Sequence, residues 1–310
     1  MVLLDPAGHV ARQQSDIMLS TTALIALIIV PVMIAIAIVA WRYRASNKRA
    51  NYQADWDHSS RLELMVWAAP LMIIIAVGSI SWIGTHQLDP YRPLDHVDAD
   101  RPVTADTRAL QVEVVSLPWK WLFFYPQYGV ATVNELAAPV DVPIHFDLTS
   151  SAMMDSFFVP DLAGMIYTMP GMQTQLNAVI NKPGVYKGMS ANYSGHGFTD
   201  MRFKFHGLSQ ADFEAWVEKV RAGGGTLDRA TYEKLAEPGR AAPIQYFSGF
   251  PDDLYTRILN RCVDPQKTCM NQQMADDAAR RGQPMHMDMP MDAASASSTH
   301  SDAVHDTASH

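Results

Sequence analysis

Two long uncharged runs near the start constrain the fold of this sequence more than any other feature. Ile17 to Trp41 is 25 residues without a charge, and Leu64 to Thr85 is 22. As a helix the first run reaches about 37 Å, more than the ~30 Å hydrocarbon core of a bilayer. A buried core helix is the alternative for each run, but at these lengths a membrane span is far the commoner case. A cleaved signal fits the first run poorly. The run is longer than the roughly 7–15 residue apolar core of a signal, follows a polar lead, and lacks a small-residue cleavage motif. Pro31 lies mid-span, where membrane helices tolerate proline better than soluble ones do. Trp41, Trp67 and Trp82 lie near span ends, and Trp41 and Trp82 suit the interfacial aromatic belt.

Basic residues set the orientation. The loop between the runs carries Arg42, Arg44, Lys48, Arg49 and Arg61, whereas the lead has only Arg12 and the stretch after the second run has Arg92 and Arg101. The positive-inside rule puts the loop, residues 42–63, in the cytoplasm. The chain then divides into an outside lead (1–16), a transmembrane hairpin (17–85), a Pro/Asp/Arg-rich linker (86–107) and an exported remainder. The net charge of -8 leaves no basic footprint for nucleic acid.

Strand-like alternation begins after the linker. Leu110, Val112 and Val114 alternate with polar neighbours, as do Ile144, Phe146 and Leu148, then Leu176, Ala178 and Ile180, then Met201, Phe203 and Phe205. Period-2 patterning with Pro and Gly between the runs predicts a small antiparallel sandwich or barrel over 108–207. Helices are predicted over 208–270. Ser209 opens one whose Phe213, Trp216, Val217 and Val220 share a face, and Gly223-Gly224-Gly225 ends it. Thr226 to Glu237 reads as a second helix, and a third starts near Pro251. From Asn271 the chain lacks aromatic and branched apolar residues almost entirely and carries -4 of the charge, so 271–310 reads as a disordered, Met/His-rich tail. The two cysteines, Cys262 and Cys269, lie on the oxidising side, and a disulfide closing their eight-residue loop is worth about 2.5 kcal/mol.

Several stretches carry a resemblance. Trp119-Lys120-Trp121-Leu122-Phe123-Phe124-Tyr125-Pro126, Ala131-Thr132-Val133-Asn134-Glu135, Ser156-Phe157-Phe158-Val159-Pro160, Pro170-Gly171-Met172-Gln173-Thr174 and Ser190-Ala191-Asn192-Tyr193-Ser194-Gly195 resemble subunit II of the haem–copper respiratory oxidases, in the cytochrome o ubiquinol oxidase branch. The cytoplasmic stretch Trp41 to Lys48 is similar to that family too. The likeness runs from about residue 3 to 260. It implies two N-terminal transmembrane helices, then an all-β cupredoxin-like Greek-key barrel, with C-terminal helices and a disordered tail.

The branch follows from the copper pattern. Relatives that oxidise cytochrome c hold a binuclear copper centre with Cys, Glu, Cys, His and Met in order, and a His upstream. On this chain those positions fall on Ser190, Asn192, Ser194, Phe198 and Met201, with the upstream one on Asp155. A mixed-valence copper pair needs bridging thiolates, and a serine hydroxyl stays protonated at neutral pH. Met201 alone reads as core filler. The resemblance therefore implies a chain that binds no cofactor and does not serve cytochrome c. Quinol, haems and copper belong to a partner, subunit I, and this chain is a non-catalytic subunit of a proton-translocating quinol oxidase in the bacterial inner membrane. The competing reading is a stand-alone, membrane-tethered periplasmic copper-handling protein that uses the Met/His tail.

Glu63 has two readings that are compatible. Ser60-Arg61-Leu62-Glu63 fits a capping box at the start of the second span. The resemblance implies a role at the mouth of a proton-uptake channel into subunit I, because a carboxylate at the membrane edge can collect and relay protons.

Overall fold

The computed structural model describes residues 4–51, 55–104 and 107–281. Helix α1 spans His9–Arg42 and α2 spans Ser60–Gln87, about 51 Å and about 42 Å long at 1.5 Å per residue. They run antiparallel, with Ile17 near the start of α1 pressed on Gly84 near the end of α2. A Cβ at Gly84 would lie 2.6 Å from Ile17 Cδ1, so a larger residue here would require the Ile17 side chain to move aside. Leu27, Met33, Ile36, Leu71 and Ile74 are exposed in the chain by itself. Apolar surface of that extent is covered by lipid or by neighbouring helices.

Helix α1 begins eight residues before the uncharged run, so half of the lead is continuous with the first helix. Its first turns are buried at His9, Val10 and Ala11. The amides of Ala7 and Gly8 donate to the Asp161 carbonyl at 3.1 and 2.8 Å, and the Asn181 amide donates to the Ala7 carbonyl at 2.9 Å. The N-terminal end of α1 and the β domain therefore lie on one side of the hairpin.

The linker is also more ordered than its composition suggests. Strands β1 (His96–Asp98) and β2 (Arg101–Pro102) pair antiparallel, and Val97 is buried. Strands this short leave no periodicity to read.

Ten strands then build two packed sheets: β3 Leu110–Leu117, β4 Lys120–Tyr125, β5 Val130–Val133, β6 Glu135–Pro139, β7 Pro143–Ser150, β8 Asp155–Phe158, β9 Ile166–Thr168, β10 Thr174–Val179, β11 Gly184–Ser190 and β12 Arg202–Leu208. One sheet contains β10-β7-β3-β4-β5 and the other is β6-β12-β11-β8-β9. Most pairs are antiparallel, but β3 with β7 and β6 with β12 are parallel. The chain changes sheet between β5 and β6 and returns at β7, and that crossover makes the parallel pairs a purely antiparallel expectation lacks. The result is the cupredoxin-like Greek-key arrangement.

Alternation along β3 sends Leu110, Val112 and Val114 into the core between the sheets. Strand β4 does not alternate, because both its faces are buried. Trp121, Phe123 and Tyr125 enter the core between the sheets, while Leu122 and Phe124 join a second core on the outer face.

That second core is roofed by the C-terminal extension. Its cover comes from Leu227, Tyr232, Leu235, Phe247, Leu254 and Ile258, whereas helix α3 (Gln210–Gly223), capped by Ser209, whose hydroxyl accepts from the Asp212 amide at 3.2 Å, buries Phe213, Trp216, Val217 and Val220 against the core between the sheets. The extension is not purely helical. β13 (Gly225–Thr226) and β14 (Gln245–Gly249) add to the first sheet beyond β5. The expected helix from Thr226 shrinks to α4, Arg229–Leu235, because the Asp228 carboxylate accepts from the Thr231 amide at 2.8 Å and fixes a later start. Buried Lys120 donates to the carbonyls of Leu235 and Glu237 at 2.7 and 2.8 Å, satisfying the end of α4. Helix α5 covers Leu254–Leu259, and Cys262 is joined to Cys269 with their Cα atoms 4.8 Å apart.

Helix α6, Met270–Arg281, occupies a stretch whose composition argued for disorder. Its Met, Gln, Ala and Arg are strong helix formers, a local preference that a test for core-forming residues does not register. The rest of the tail, with the Met285–Met291 stretch, lies outside the described residues.

Candidate functional site

The positions onto which the resemblance lays the copper ligands are distributed as follows. Asp155 opens β8 and Ser190 closes β11, neighbouring strands of the second sheet. The Asp155 carboxylate is buried, and it accepts a hydrogen bond from the Ser116 hydroxyl and a longer one, 3.5 Å, from Ser190. Burial pushes the Asp155 carboxyl above the usual carboxylate range, although the surrounding serine hydroxyls pull it back. Ser194 is buried in the next turn. Asn192 is turned away, its amide donating to the Met154 carbonyl at 3.2 Å. Phe198 packs edge-on against Tyr193, and Met201 is fully buried in the core between the sheets.

Trp119 closes the Asp155 end. Its indole N–H donates to the Ser194 carbonyl at 2.8 Å, and its ring lies on Gly197, where a Cβ would meet the indole at 2.2 Å. Trp119 itself has φ 64°, a left-handed conformation that costs a bulky residue free energy and is held by this closure. His196 in the same loop is exposed.

The donor set is thus one buried carboxyl, two hydroxyls and a thioether committed to the core. It does not fit a binuclear copper group, which needs soft bridging thiolates. Among the described residues no group of three or more His, Cys, Asp or Glu is gathered as a metal site.

A second polar cluster had no signature in the sequence. Glu135 Oε1 lies 2.8 Å from His206 Nε2, on the neighbouring strand β12, and Glu135 Oε2 accepts from the Tyr246 hydroxyl on β14. Lys219 of α3 donates to that hydroxyl at 3.2 Å. Burial pushes Glu135 up, but hydrogen bonds from His206 and Tyr246 and the nearby charges outweigh it and hold the carboxyl below its ordinary value. This cluster ties the second sheet to the extension.

Glu63 sits in the first turn of α2, at the end of the hairpin away from the barrel. Its Oε1 lies 2.7 Å from His58 Nδ1, and the other ring nitrogen of His58 is 3.1 Å from the Ser60 hydroxyl. The predicted capping box is not formed. The cap residue is Ser59, without a side-chain cap, and His58 has engaged both groups the box would use. Sequence reasoning found Glu63 and missed His58, whose position two residues before the helix was its only signal. Ser116 was missed for the same reason as His206 and Tyr246, since partners brought by cross-strand register have no fixed sequence spacing.

Comparison with known proteins places this geometry. Residues 106–205 match the family model for the cytochrome c oxidase subunit II periplasmic domain, and 221–266 match that of the COX aromatic-rich motif. The class is therefore an oxidase subunit II. Cytochrome bo(3) ubiquinol oxidase subunit 2 of Pseudomonas putida is 46% identical over 259 residues, covering 84% of this chain and 80% of that protein. The Pseudomonas aeruginosa protein of the same name is 43% identical over 261 residues, covering 84% and 76%. Ubiquinol oxidase subunit 2 of Acetobacter aceti is 43% identical over 257 residues, covering 83% and 81%. The chain belongs to the ubiquinol oxidase subunit 2 family, and the stand-alone copper-handling reading is not favoured.

Proposed function

We propose that this chain is the copper-free, non-catalytic second subunit of a proton-translocating inner-membrane oxidase that passes electrons from quinol to oxygen, forming water. The observation that carries the reading is Asp155 closed in by Ser116 and Ser190 beneath Trp119, where copper-bearing relatives place thiolates and imidazole. Without soft donors the barrel has no route for an electron from cytochrome c. Electrons then enter from quinol at subunit I, which carries the haems and copper, and the barrel covers subunit I on the periplasmic side, where both termini also lie. The full-length chain in detergent, titrated with copper under reducing and oxidising conditions, is expected to develop no thiolate–copper absorption. A stoichiometric purple or blue centre would overturn the reading.

Glu63 collects protons at the cytoplasmic edge and hands them to subunit I. Its support is the pairing with His58, which places a second titratable group within 2.7 Å of the carboxylate. Since the capping box is absent, a cap role predicts almost no effect of Glu63→Gln. A relay role predicts a several-fold fall in turnover per haem at unchanged haem content, because an amide cannot ionise. Equal turnover in matched preparations across pH removes the relay.

A further inference from the structure

Glu113 on β3 and Asp147 on β7 are register partners across a parallel strand pair. Their side chains therefore stand side by side on the outer face of the first sheet, where two like charges repel. Gln111, two residues along β3 and on the same face, donates its side-chain amide to Asp147.

The two acids are not equally provided for. Asp147 also accepts from the side-chain amides of Gln173 at 2.6 Å and Gln175 at 3.4 Å, and His145 Nε2 lies 3.5 Å from it. Such donors suit a charged carboxylate. Among the described residues Glu113 has no protein hydrogen-bond partner, and neither acid pairs with a lysine or an arginine.

The other side of Glu113 is apolar. Its register partner on β4 is Phe124, whose ring packs edge-on against Phe250 and Tyr255 with centroids 4.9 and 6.4 Å away. Tyr255 belongs to α5, which covers the outer core with Leu254 and Ile258. It is 5% exposed, and its hydroxyl is buried without a hydrogen-bond partner, so it gives Glu113 no donor. Burial, and then the Asp147 charge, push the Glu113 carboxyl up to about 7. Burial, with the charges of Asp147 and Glu113, also raises the Tyr255 phenol, so α5 lies within the field of both acids. The titratable groups around Glu113 are thus Asp147 and His145 of β7 and Tyr255 of α5. Strand β10 presents the neutral Gln175 and Asn177, β4 presents Phe124, and Arg257 of α5 is turned to Asp253 at 2.6 Å.

We propose that Glu113 and Asp147 share one proton and form a pH-sensitive latch beneath α5, closed in acid and loosened as pH rises. With the proton bound, the pair carries a single charge, which the three glutamine amides satisfy. With the proton gone, two adjacent carboxylates repel under an apolar roof, and lifting α5 lets water reach Glu113. With α5 lifted, Glu113 titrates in the ordinary glutamate range. Closure is therefore strongest below that range, weakens as pH rises towards the raised value, and levels off above it. The inference rests on the fold alone and is independent of the copper and proton-relay readings.

The test is hydrogen exchange of the full-length chain in detergent, read by mass spectrometry with labelling times scaled to the intrinsic exchange rate. Protection of residues 250–262 in wild type is expected to fall about tenfold between about pH 5.5 and about pH 7.5. Glu113→Gln, neutral throughout, is expected to keep the acid-level protection at both values. Asp147→Asn, which removes the repelling charge, is expected to shrink the fall. An undiminished fall in Glu113→Gln assigns the response to another group, His145 first, and overturns the proposal. So does constant protection in wild type. Loss of protection in acid on adding EDTA also overturns it, because the pair then holds a metal ion and not a proton.

Discussion

Asp155 and Glu135 are acids of the same barrel, 1% and 5% exposed, and their surroundings push them in opposite directions. Asp155 has hydroxyl partners, and burial leaves its carboxyl raised. Glu135 suffers burial too, but His206, Tyr246 and the Lys219 charge hold it low. Burial sets the cost of ionisation in both places, and at Glu135 the hydrogen bonds from His206 and Tyr246, helped by nearby positive charge, reverse it. The Asp155 end of the barrel is a plugged, weakly polar cap. The other cluster has become a joint, binding β6 to β12, β14 and α3 through one carboxylate.

The comparison breaks most sharply at the joint. Glu135→Ala leaves His206 and Tyr246 without their shared acceptor and is expected to cost about 3 kcal/mol. The measurement is the denaturant midpoint of the exported part within the solubilised full chain. His206→Gln, which leaves the tyrosine bond intact, is expected to cost about 1–2 kcal/mol. The sign with pH follows from the lowered carboxyl. Its stabilisation is full above the ordinary glutamate range and is lost as pH falls through the depressed value. Wild type is therefore expected to lose stability more steeply in acid than Glu135→Gln. Parallel acid curves would show that the carboxylate is not held low.

The difference between the two sites is also a difference in what a sequence can carry. Asp155, Ser190 and Ser194 were singled out because they fall on positions of a spaced pattern that the resemblance supplies, and a hydroxyl cannot replace a bridging thiolate. The spans were legible because hydrocarbon demands an unbroken apolar run. The strands Leu110–Leu117 and Pro143–Ser150 were legible in part because one face alternates. Strand Lys120–Tyr125 has no alternation, since the extension covers its outer face, and that cover depends on residues more than 100 positions later. Gly225–Thr226 and Gln245–Gly249 are strands only because an open edge beyond Val130–Val133 receives them. The Glu135–His206–Tyr246 joint is assembled by register across three strands, and nothing local in the chain announces it.

The smallest expected effect lies at Asp155, and it tests the comparison from the other side. A carboxyl raised in the folded state contributes stability that is fully present below the ordinary aspartate range and is lost as pH rises through the folded value. Asparagine has the same shape and keeps a carbonyl to accept from Ser116, but it cannot ionise. Asp155→Asn is therefore expected to match wild type near about pH 4 and to be more stable, by about 1 kcal/mol, near about pH 8. Unfolding midpoints of the solubilised chain at the two pH values give the answer directly. If Asp155→Asn loses the same stability at both, the native state does not favour the protonated acid. If its loss appears only at the higher pH, Asp155 is an ionised group with a stabilising partner, and the two carboxylates of this barrel behave alike.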